Sequence, residues 1–287
     1  MLSKNCRADM RTENPPAEPF FLRTEHGKRF CLYYPPASNK TLQGMLIYIH
    51  PFAEEMNKSR RMVALQARAF ASKGIGIFQI DLFGCGDSQG NFKDASWHIW
   101  KQDISAAKHW IESHIDAPIY LWGLRLGALL ALDFAKESDY VFNKIILWQP
   151  IINGHTFLTQ FLRLKLASQM ITRESDTTTN IRTMRNMLSS GASLEIAGYE
   201  LSSQLACKID NLRLSELMIA QSHIHWFAIT SGAGQTLSPA EMSVVNLWKQ
   251  SGINLDIHLI SCQPFWATQE ITECHELIST TSKLVAD

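Results

Sequence analysis

Short apolar segments alternate with longer helical patterns along most of the 287-residue chain. Several of these segments are almost continuously apolar, which is typical of strands buried on both faces of a parallel sheet. The predicted strands are residues 20–25, 30–34, 44–50, 75–81, 119–123, 144–150, 223–230 and 255–260, and the predicted helices are 57–73, 96–114, 125–137, 239–250 and 268–283. This alternation predicts an α/β fold, a mostly parallel eight-stranded sheet with helices on both faces. In the first two strands apolar and polar residues come nearer to alternating, so we expect these two strands to be antiparallel.

The pattern changes between residues 151 and 221, where the sequence is helical and polar and offers no strand. An insertion after the sixth strand would lie over the carboxyl edge of the sheet, where α/β proteins bind ligands. We therefore predict a polar tail at 1–18, a core formed by 19–150 and 222–287, and a helical cap at 151–221.

Composition excludes some function classes. Lys plus Arg equals Asp plus Glu at 27 each, so the basic excess typical of phosphate-backbone binding is absent and we expect no nucleic-acid partner. The first sixteen residues contain no apolar run of signal-peptide length, and no later stretch resembles a membrane span. The expectation is a cytoplasmic protein.

Residue spacing indicates neither a metal site nor a cofactor. The six cysteines form no Cys-x-x-Cys pair and no zinc-ligand spacing, so they are interpreted as reduced thiols. His223 and His225 could face the same side of a strand, but the sequence shows no companion ligand near them. We predict no metal and no organic cofactor.

The segment YLWGLRLGALLALDFA, residues 120–135, reads as a strand turning sharply into a helix. In the α/β-hydrolase pattern Gly-x-Ser-x-Gly, the middle residue of this nucleophile elbow is a serine. Here that residue is Arg125, whose permanently protonated guanidinium cannot attack a carbonyl. Gly123 and Gly127 are expected where close packing leaves no room for a Cβ atom.

Two further loops match the same fold. The segment HPFAEEMNKSRRM follows the third strand. In α/β-hydrolases the loop at this position supplies a backbone N–H of the oxyanion hole. Pro51 has no N–H, so Phe52 or Ala53 would be the donor, with Leu126 N–H as the second. After the fourth strand, DLFGCGDSQG predicts a tight glycine turn beneath the site.

Six motifs together resemble one family. HPFAEEMNKSRRM, DLFGCGDS, WGLRLGALLA, LWQP, AGYELS and PFWATQEITECHELI are similar to the exosortase A system-associated hydrolase of the second type, over roughly residues 19–284. This family is encoded in Gram-negative bacteria beside genes for protein sorting and exopolysaccharide production. The resemblance implies an α/β-hydrolase fold, a presumed hydrolase with an arginine at its elbow, and components of that system as partners.

The remaining triad positions lack the expected residues. An acid should follow the seventh strand, but ITSGAGQTLSPAE has no carboxylate before Glu241. A histidine should follow the eighth strand, where Phe265 and Trp266 stand instead. His258 lies inside a strand pattern and His275 within the last predicted helix. Change at all three positions argues against Ser-His-Asp acyl transfer.

Arg125 has two compatible interpretations. It could pair with a nearby carboxylate, with Glu54, Glu55, Asp81 and Asp87 as candidates, because an unpaired charge at that depth is costly. It could also face the pocket at the helix N-terminus and bind a carboxylate or phosphate, with Trp266 as pocket wall.

Four residues are candidates for catalysis in a rearranged site: His50, Glu54, Glu55 and Cys85. His50 would more simply orient its loop, and Cys85 would more simply be a packed turn residue, since a thiol needs a base or a positive field to react. A carboxylate could activate water if burial raised its pKa, a shift that Arg125 would oppose.

Three functions therefore stay open. The chain could bind a small acyl or anionic ligand without hydrolysing it, with Arg125, Phe52, Leu126 and Trp266 as the binding residues. It could be an esterase or thioesterase with a rearranged site. It could also be a scaffold of the sorting and export machinery.

Overall fold

Residues 15–172, 180–230, 232 and 236–284 are described by a computed structural model. The strands are β1 (Glu18–Thr24), β2 (Gly27–Tyr34), β3 (Gly44–Ile49), β4 (Ile75–Ile80), β5 (Ile119–Leu124), β6 (Lys144–Trp148), β7 (Leu194–Ile196), β8 (Tyr199–Leu201), β9 (His223–Thr230) and β10 (Leu255–Ser261). The helices are α1 (Glu54–Ala71), α2 (Trp97–His114), α3 (Leu126–Glu137), α4 (Gly154–Thr172), α5 (Ile181–Ser189), α6 (Ser203–Asn211), α7 (Pro239–Gln250) and α8 (His275–Lys283).

Eight strands form one sheet in the order β1-β2-β4-β3-β5-β6-β9-β10. β2 runs antiparallel to both of its neighbours, and the other pairs are parallel. All eight predicted strands are present, and the expected antiparallel start is confirmed. β3 and β5 are adjacent, with Ile49 opposite Gly123, so the loops that follow these two strands meet at the carboxyl edge of the sheet.

Helix boundaries differ from the predicted ones in two places that matter. α1 begins at Glu54 rather than at residue 57, because Ala53 has a positive φ of 51° and the chain turns directly into the helix. Glu54 and Glu55 thus lie in its first turn, where carboxylates are favoured by the helix dipole. α8 begins at His275 rather than at 268, since turns and irregular backbone occupy the preceding residues.

The segment predicted as a purely helical cap also contains a β-hairpin. β7 and β8 pair antiparallel, with Glu195 opposite Glu200. The prediction that this segment has no strand is therefore wrong; strands of three residues are too short to show an alternating pattern. The two ends of this segment contact each other, since Asn153 bridges Arg213 and Leu214 N–H donates to Ile152 O.

Residues 1–14 of the predicted tail lie outside the described residues, and β1 begins at Glu18. Among the described residues, no helix is long and apolar enough to cross a membrane.

Helix α7 begins with a complete capping box. Ser238 Oγ accepts from Glu241 N–H at 3.3 Å, and Glu241 Oε2 accepts from Ser238 N–H at 2.8 Å. Pro239 occupies the first helical position, where its missing N–H costs nothing.

Replacing Ser238 with alanine is expected to lower the free energy of unfolding by about 1 kcal/mol, the usual loss for a removed N-cap. Ser243→Ala, at an exposed position inside the same helix, is the matched control and should change stability by less than about 0.5 kcal/mol. Urea denaturation measures both, and equal stabilities would show that the cap contributes nothing.

Candidate active site at the elbow between β5 and α3

Arg125 occupies a strained turn between β5 and α3. Its φ and ψ are 56° and −117°, a combination that non-glycine residues rarely adopt. Its N–H donates to Trp148 O at 2.9 Å, and its carbonyl accepts from Ala128 N–H at 3.1 Å. These bonds fix the residue where a nucleophile elbow presents its side chain.

The two glycines beside Arg125 are required by close backbone contacts. A Cβ on Gly123 would lie 2.5 Å from Ala128 Cα, and one on Gly127 would lie 2.3 Å from Ile49 O. The expectation that these positions have no room for a Cβ atom is confirmed. Because Gly127 packs on the end of β3, the elbow and the loop after β3 are held together.

The Arg125 side chain lies between a carboxylate and an aromatic ring. Its Nε donates to Glu55 Oε1 at 3.3 Å, and its Cζ lies 5.1 Å from the centre of the Trp266 ring. The side chain is 15% exposed and that of Glu55 is 21% exposed. Within the described part of the chain, no hydrogen bond engages the two terminal guanidinium nitrogens.

Of the four carboxylates considered from sequence, Glu55 is the one that pairs with Arg125. Glu54 instead contacts Asn57 and the hydroxyl of Tyr199 in the cap hairpin. Asp81 accepts from Asp87 N–H and lies 3.6 Å from Arg60.

Glu55 has an unusual environment for a carboxylate. Its Oε2 is buried and has no hydrogen-bond partner among the described residues. Burial raises the pKa of the Glu55 carboxyl above its ordinary value, although the Arg125 guanidinium acts in the opposite direction. Burial thus prevails over the adjacent cation, and the protonated form is more accessible than in a solvated glutamate.

Both ring nitrogens of His50 are engaged in fixing the neighbouring loops. Nδ1 donates to Pro51 O at 2.7 Å, and Nε2 accepts from Leu82 N–H at 3.2 Å. Burial lowers the pKa of His50, with Asp81 acting against this shift. A neutral ring with no free nitrogen fits the loop-orienting interpretation and leaves no lone pair for use as a base.

Cys85 is buried in the glycine turn after β4. Burial raises the pKa of its thiol, and the Asp81 and Asp103 carboxylates raise it further. A protonated, buried thiol is a poor nucleophile.

A small cavity lies beside the elbow. A cavity of about 10 Å³ is bounded by the loop after β3, the glycine turn, α2 and the first turns of α3; its lining residues are His50, Pro51, Phe52, Ala53, Leu82, Cys85, Trp97, Trp100, Leu126, Gly127 and Leu130. This volume holds about one water molecule. In the described residues neither the Phe52 nor the Leu126 N–H has a backbone partner, so both stay available as donors.

Aromatic rings fill the space between this cavity and the cap. The Phe52 ring lies 5.0 Å from Phe161 and 5.7 Å from Phe157, both of α4. It also lies 5.4 Å from Phe92 and 6.3 Å from Trp100. This aromatic cluster could not be predicted from the sequence, since its members come from separate elements without a common motif.

A family model described as "Hydrolase_4: Serine aminopeptidase, S33" matches residues 40–194, more than half of the chain. The chain belongs to this family. No curated protein matches it significantly.

Solved structures similar to the chain include Est1E from Butyrivibrio proteoclasticus with bound ferulic acid. That structure is 16% identical, with 93% of this chain and 96% of that one covered at a TM-score of 0.64. A thermostable carboxyl esterase from Bacillus coagulans is 13% identical, with 94% and 97% covered at a TM-score of 0.64. An α/β serine hydrolase homologue from Coxiella burnetii is 14% identical, with 94% and 95% covered at 0.56. These likenesses establish the α/β-hydrolase fold.

The residues after β9 and β10 are those from which the acid and the histidine of a Ser-His-Asp arrangement are expected. Glu241 is used by the α7 cap and accepts from Gln149 Nε2 at 3.0 Å. Phe265 and Trp266 are buried, and Trp266 covers Arg125. Residues 231 and 233–235, within the stretch expected to supply the acid, lie outside the described residues and include no carboxylate.

Neither histidine considered from sequence is engaged with the elbow. His258 stacks on Phe227 within the sheet, with 4.4 Å between ring centres. His275 is exposed and lies 3.7 Å from Glu273. In the part of the chain that the structure describes, no imidazole hydrogen-bonds to Arg125 or Glu55.

Proposed function

We propose that this α/β-hydrolase-fold protein does not perform Ser-His-Asp acyl transfer and instead binds a small acyl or anionic ligand at its elbow. The observation that carries the proposal is Arg125 itself, fixed in the nucleophile position with its two terminal guanidinium nitrogens unengaged by the described residues. A guanidinium with both terminal nitrogens open presents a planar pair of donors that matches a carboxylate or phosphate.

Three further features support an anion at this position. Arg125 directly precedes α3, whose N-terminal N–H groups and dipole favour negative charge. The Phe52 and Leu126 N–H groups have no backbone partner among the described residues. The Arg125 to Glu55 contact is a single hydrogen bond of 3.3 Å rather than a bidentate pair, so a ligand carboxylate need not displace Glu55.

The size of the cavity favours a small ligand. A volume of about 10 Å³ accommodates about one water molecule. A carboxylate would be held by the Arg125 guanidinium, which does not line this cavity, whereas a long acyl chain entering the cavity would have to displace the Phe52 ring and its aromatic neighbours.

Hydrolysis by a rearranged site is the second candidate, and Glu55 is the observation that favours it. Its raised pKa and unpartnered Oε2 are properties of a general base that could activate water. His50 and Cys85 have less support, because the His50 nitrogens are both hydrogen-bonded and burial raises the pKa of the Cys85 thiol.

We also propose that the protein acts in the cytoplasm as part of an exosortase A and exopolysaccharide system, either as a ligand-binding component or as a scaffold. The support is the set of sequence motifs shared with that type of hydrolase, and the free thiols of Cys31, Cys85, Cys207, Cys262 and Cys274 fit a reducing compartment. Deleting the gene in a bacterium that carries such a system should alter exopolysaccharide secretion; unchanged secretion would contradict the assignment.

Calorimetric titration of the purified protein with acetate, butyrate, hexanoate and inorganic phosphate tests ligand binding. Arg125→Ala is expected to weaken binding at least tenfold, because a hydrogen bond to a charged group contributes about 1.5–3 kcal/mol. Arg61→Ala, which removes an exposed arginine of α1, is the matched control and should bind like the unmodified protein. Equal binding by both variants, or no binding of any anion, would contradict the role of Arg125.

A panel of p-nitrophenyl esters and acyl-pantetheine thioesters distinguishes the two candidates. We expect turnover at the level of buffer for the unmodified protein, Glu55→Gln and Cys85→Ala. Turnover that disappears in Glu55→Gln would establish the rearranged hydrolase, and turnover that disappears in Cys85→Ala would establish a thiol mechanism.

A further inference from the structure

Four titratable side chains lie together on one face of the sheet, far from the elbow along the strands. His223 and His225 are at the amino end of β9, and Asp256 and His258 are in the neighbouring strand β10. Parallel pairing places Asp256 opposite His225 and His258 opposite Phe227. Since the elbow follows the carboxyl end of β5, this cluster is at the opposite edge of the sheet.

Three of these side chains converge on a common point. His223 Nε2 lies 2.8 Å from Asp256 Oδ2, and His225 Nδ1 lies 3.6 Å from the same oxygen. One ligand atom from each residue lies within 4.8 Å of the other two. The His223 and His225 rings are 4.0 Å apart.

The buried ring of His225 is a second observation that points to a ligand at this place. Its side chain is 5% exposed, and neither of its ring nitrogens has a hydrogen-bond partner in the part of the chain that the structure describes. Leaving a buried polar group without a partner costs about 1–3 kcal/mol, so buried imidazoles are normally satisfied.

We propose that His223, His225 and Asp256 bind a divalent transition-metal ion, with Zn²⁺ as the ion that fits best. Two imidazoles and one carboxylate are a ligand set that zinc uses, with water completing its coordination. Magnesium and calcium prefer oxygen ligands alone and fit this set poorly. The exposed Asp256 and half-buried His223 leave an entry path from solvent.

The metal would serve the fold rather than the elbow chemistry. It would cross-link β9 to β10, the last strand of the sheet. It would also give the buried His225 Nδ1 a partner, and so stabilise the edge strand β10.

Titration of the metal-free full-length protein with Zn²⁺, in competition with a chromophoric chelator, measures the number of ions bound and their affinity. We expect one equivalent with a dissociation constant on the order of 1 µM or lower. Zinc should also raise the melting temperature, because it binds only the folded arrangement. His223→Gln and Asp256→Asn, both at accessible positions, should each weaken binding by at least tenfold.

His109→Gln is the matched control, since His109 is exposed on α2 and hydrogen-bonds within its own helix. It should bind one equivalent of zinc like the unmodified protein. Circular dichroism should show that all three variants are folded.

Loading the protein with Co²⁺ distinguishes metal binding at this site from binding at Cys262 and Cys274, two thiols that contact each other. The visible d–d bands should appear without thiolate-to-cobalt charge transfer. Charge-transfer bands, binding unchanged in both cluster variants, or no zinc bound at all would overturn the proposal. Because this edge lacks Arg125, none of these outcomes bears on anion binding.

Discussion

Replacing Phe52 with alanine is expected to lower the free energy of unfolding by about 3–5 kcal/mol, the usual loss for a buried phenylalanine. The side chain is buried, and its ring contacts four other aromatic rings. Two of these, Phe157 and Phe161, belong to the cap segment. The substitution therefore removes packing between cap and core and leaves a cavity that the surroundings fill only partly.

Urea denaturation with linear extrapolation measures this loss. Phe21→Ala, at a position 55% exposed, is the matched control and should lose less than about 1 kcal/mol, as for most surface changes. Equal losses in the two variants would show that the aromatic cluster does not anchor the cap.

The Phe52→Ala cavity should also change ligand binding. Apolar cavities of this kind bind small aromatic compounds, so benzene or indole should recover part of the lost stability through binding to the folded state. The enlarged space lies beside the Phe52 and Leu126 N–H groups, so hexanoate should gain affinity relative to acetate. A ratio of hexanoate to acetate affinity equal to that of the unmodified protein would show that the cluster does not limit ligand size.

Replacing Arg29 with alanine is expected to destabilise the protein by about 3–5 kcal/mol, because it leaves a buried carboxylate without its countercharge. Arg29 is 0% exposed, and its Nε donates to Asp103 Oδ1 at 2.7 Å. Its Nη1 donates to His26 O at 3.1 Å, and its guanidinium lies over the Phe83 ring. The pair connects β2 to α2 and to the glycine turn, since Asp103 Oδ2 also accepts from Phe83 N–H.

The matched control for Arg29→Ala is Arg61→Ala, whose side chain is 57% exposed and pairs with Glu273. An exposed pair of this kind contributes about 0–1 kcal/mol. In a double-mutant cycle with Asp103→Ala, the double variant should lose less free energy of unfolding than the two single variants together. Each single change leaves the charge of the partner unpaired. Strict additivity in urea denaturation would contradict the coupling of the two residues.

The sequence predicted the core of the fold because its strands carry strong local signals. β3 and β5 are almost continuously apolar, as strands covered by helices on both faces must be. Ser238 and Pro239 specify the start of α7, because an N-cap and a proline at the first helical position act on adjacent backbone groups alone. The elbow could also be recognised from the sequence, because Gly123 and Gly127 flank Arg125 at a fixed spacing.

Contacts between distant segments could not be predicted from the sequence. Four carboxylates were candidate partners for Arg125, and the early start of α1 is what brings Glu55 to it. Nothing local indicated that Phe157 and Phe161 would close the space beside Phe52. The β7–β8 hairpin was missed because three residues are too few to establish a periodicity.

By itself, then, the sequence determined the α/β-hydrolase core and the arginine at its elbow, since both follow from residue type and short spacing. Only the tertiary structure decided which side chains surround that arginine and how small the cavity beside Phe52 and Leu126 is. The register of β9 and β10, which sets Asp256 beside His225, is likewise a property of strand pairing. Contacts between segments depend on packing of the whole chain, and no short stretch of sequence carries that information.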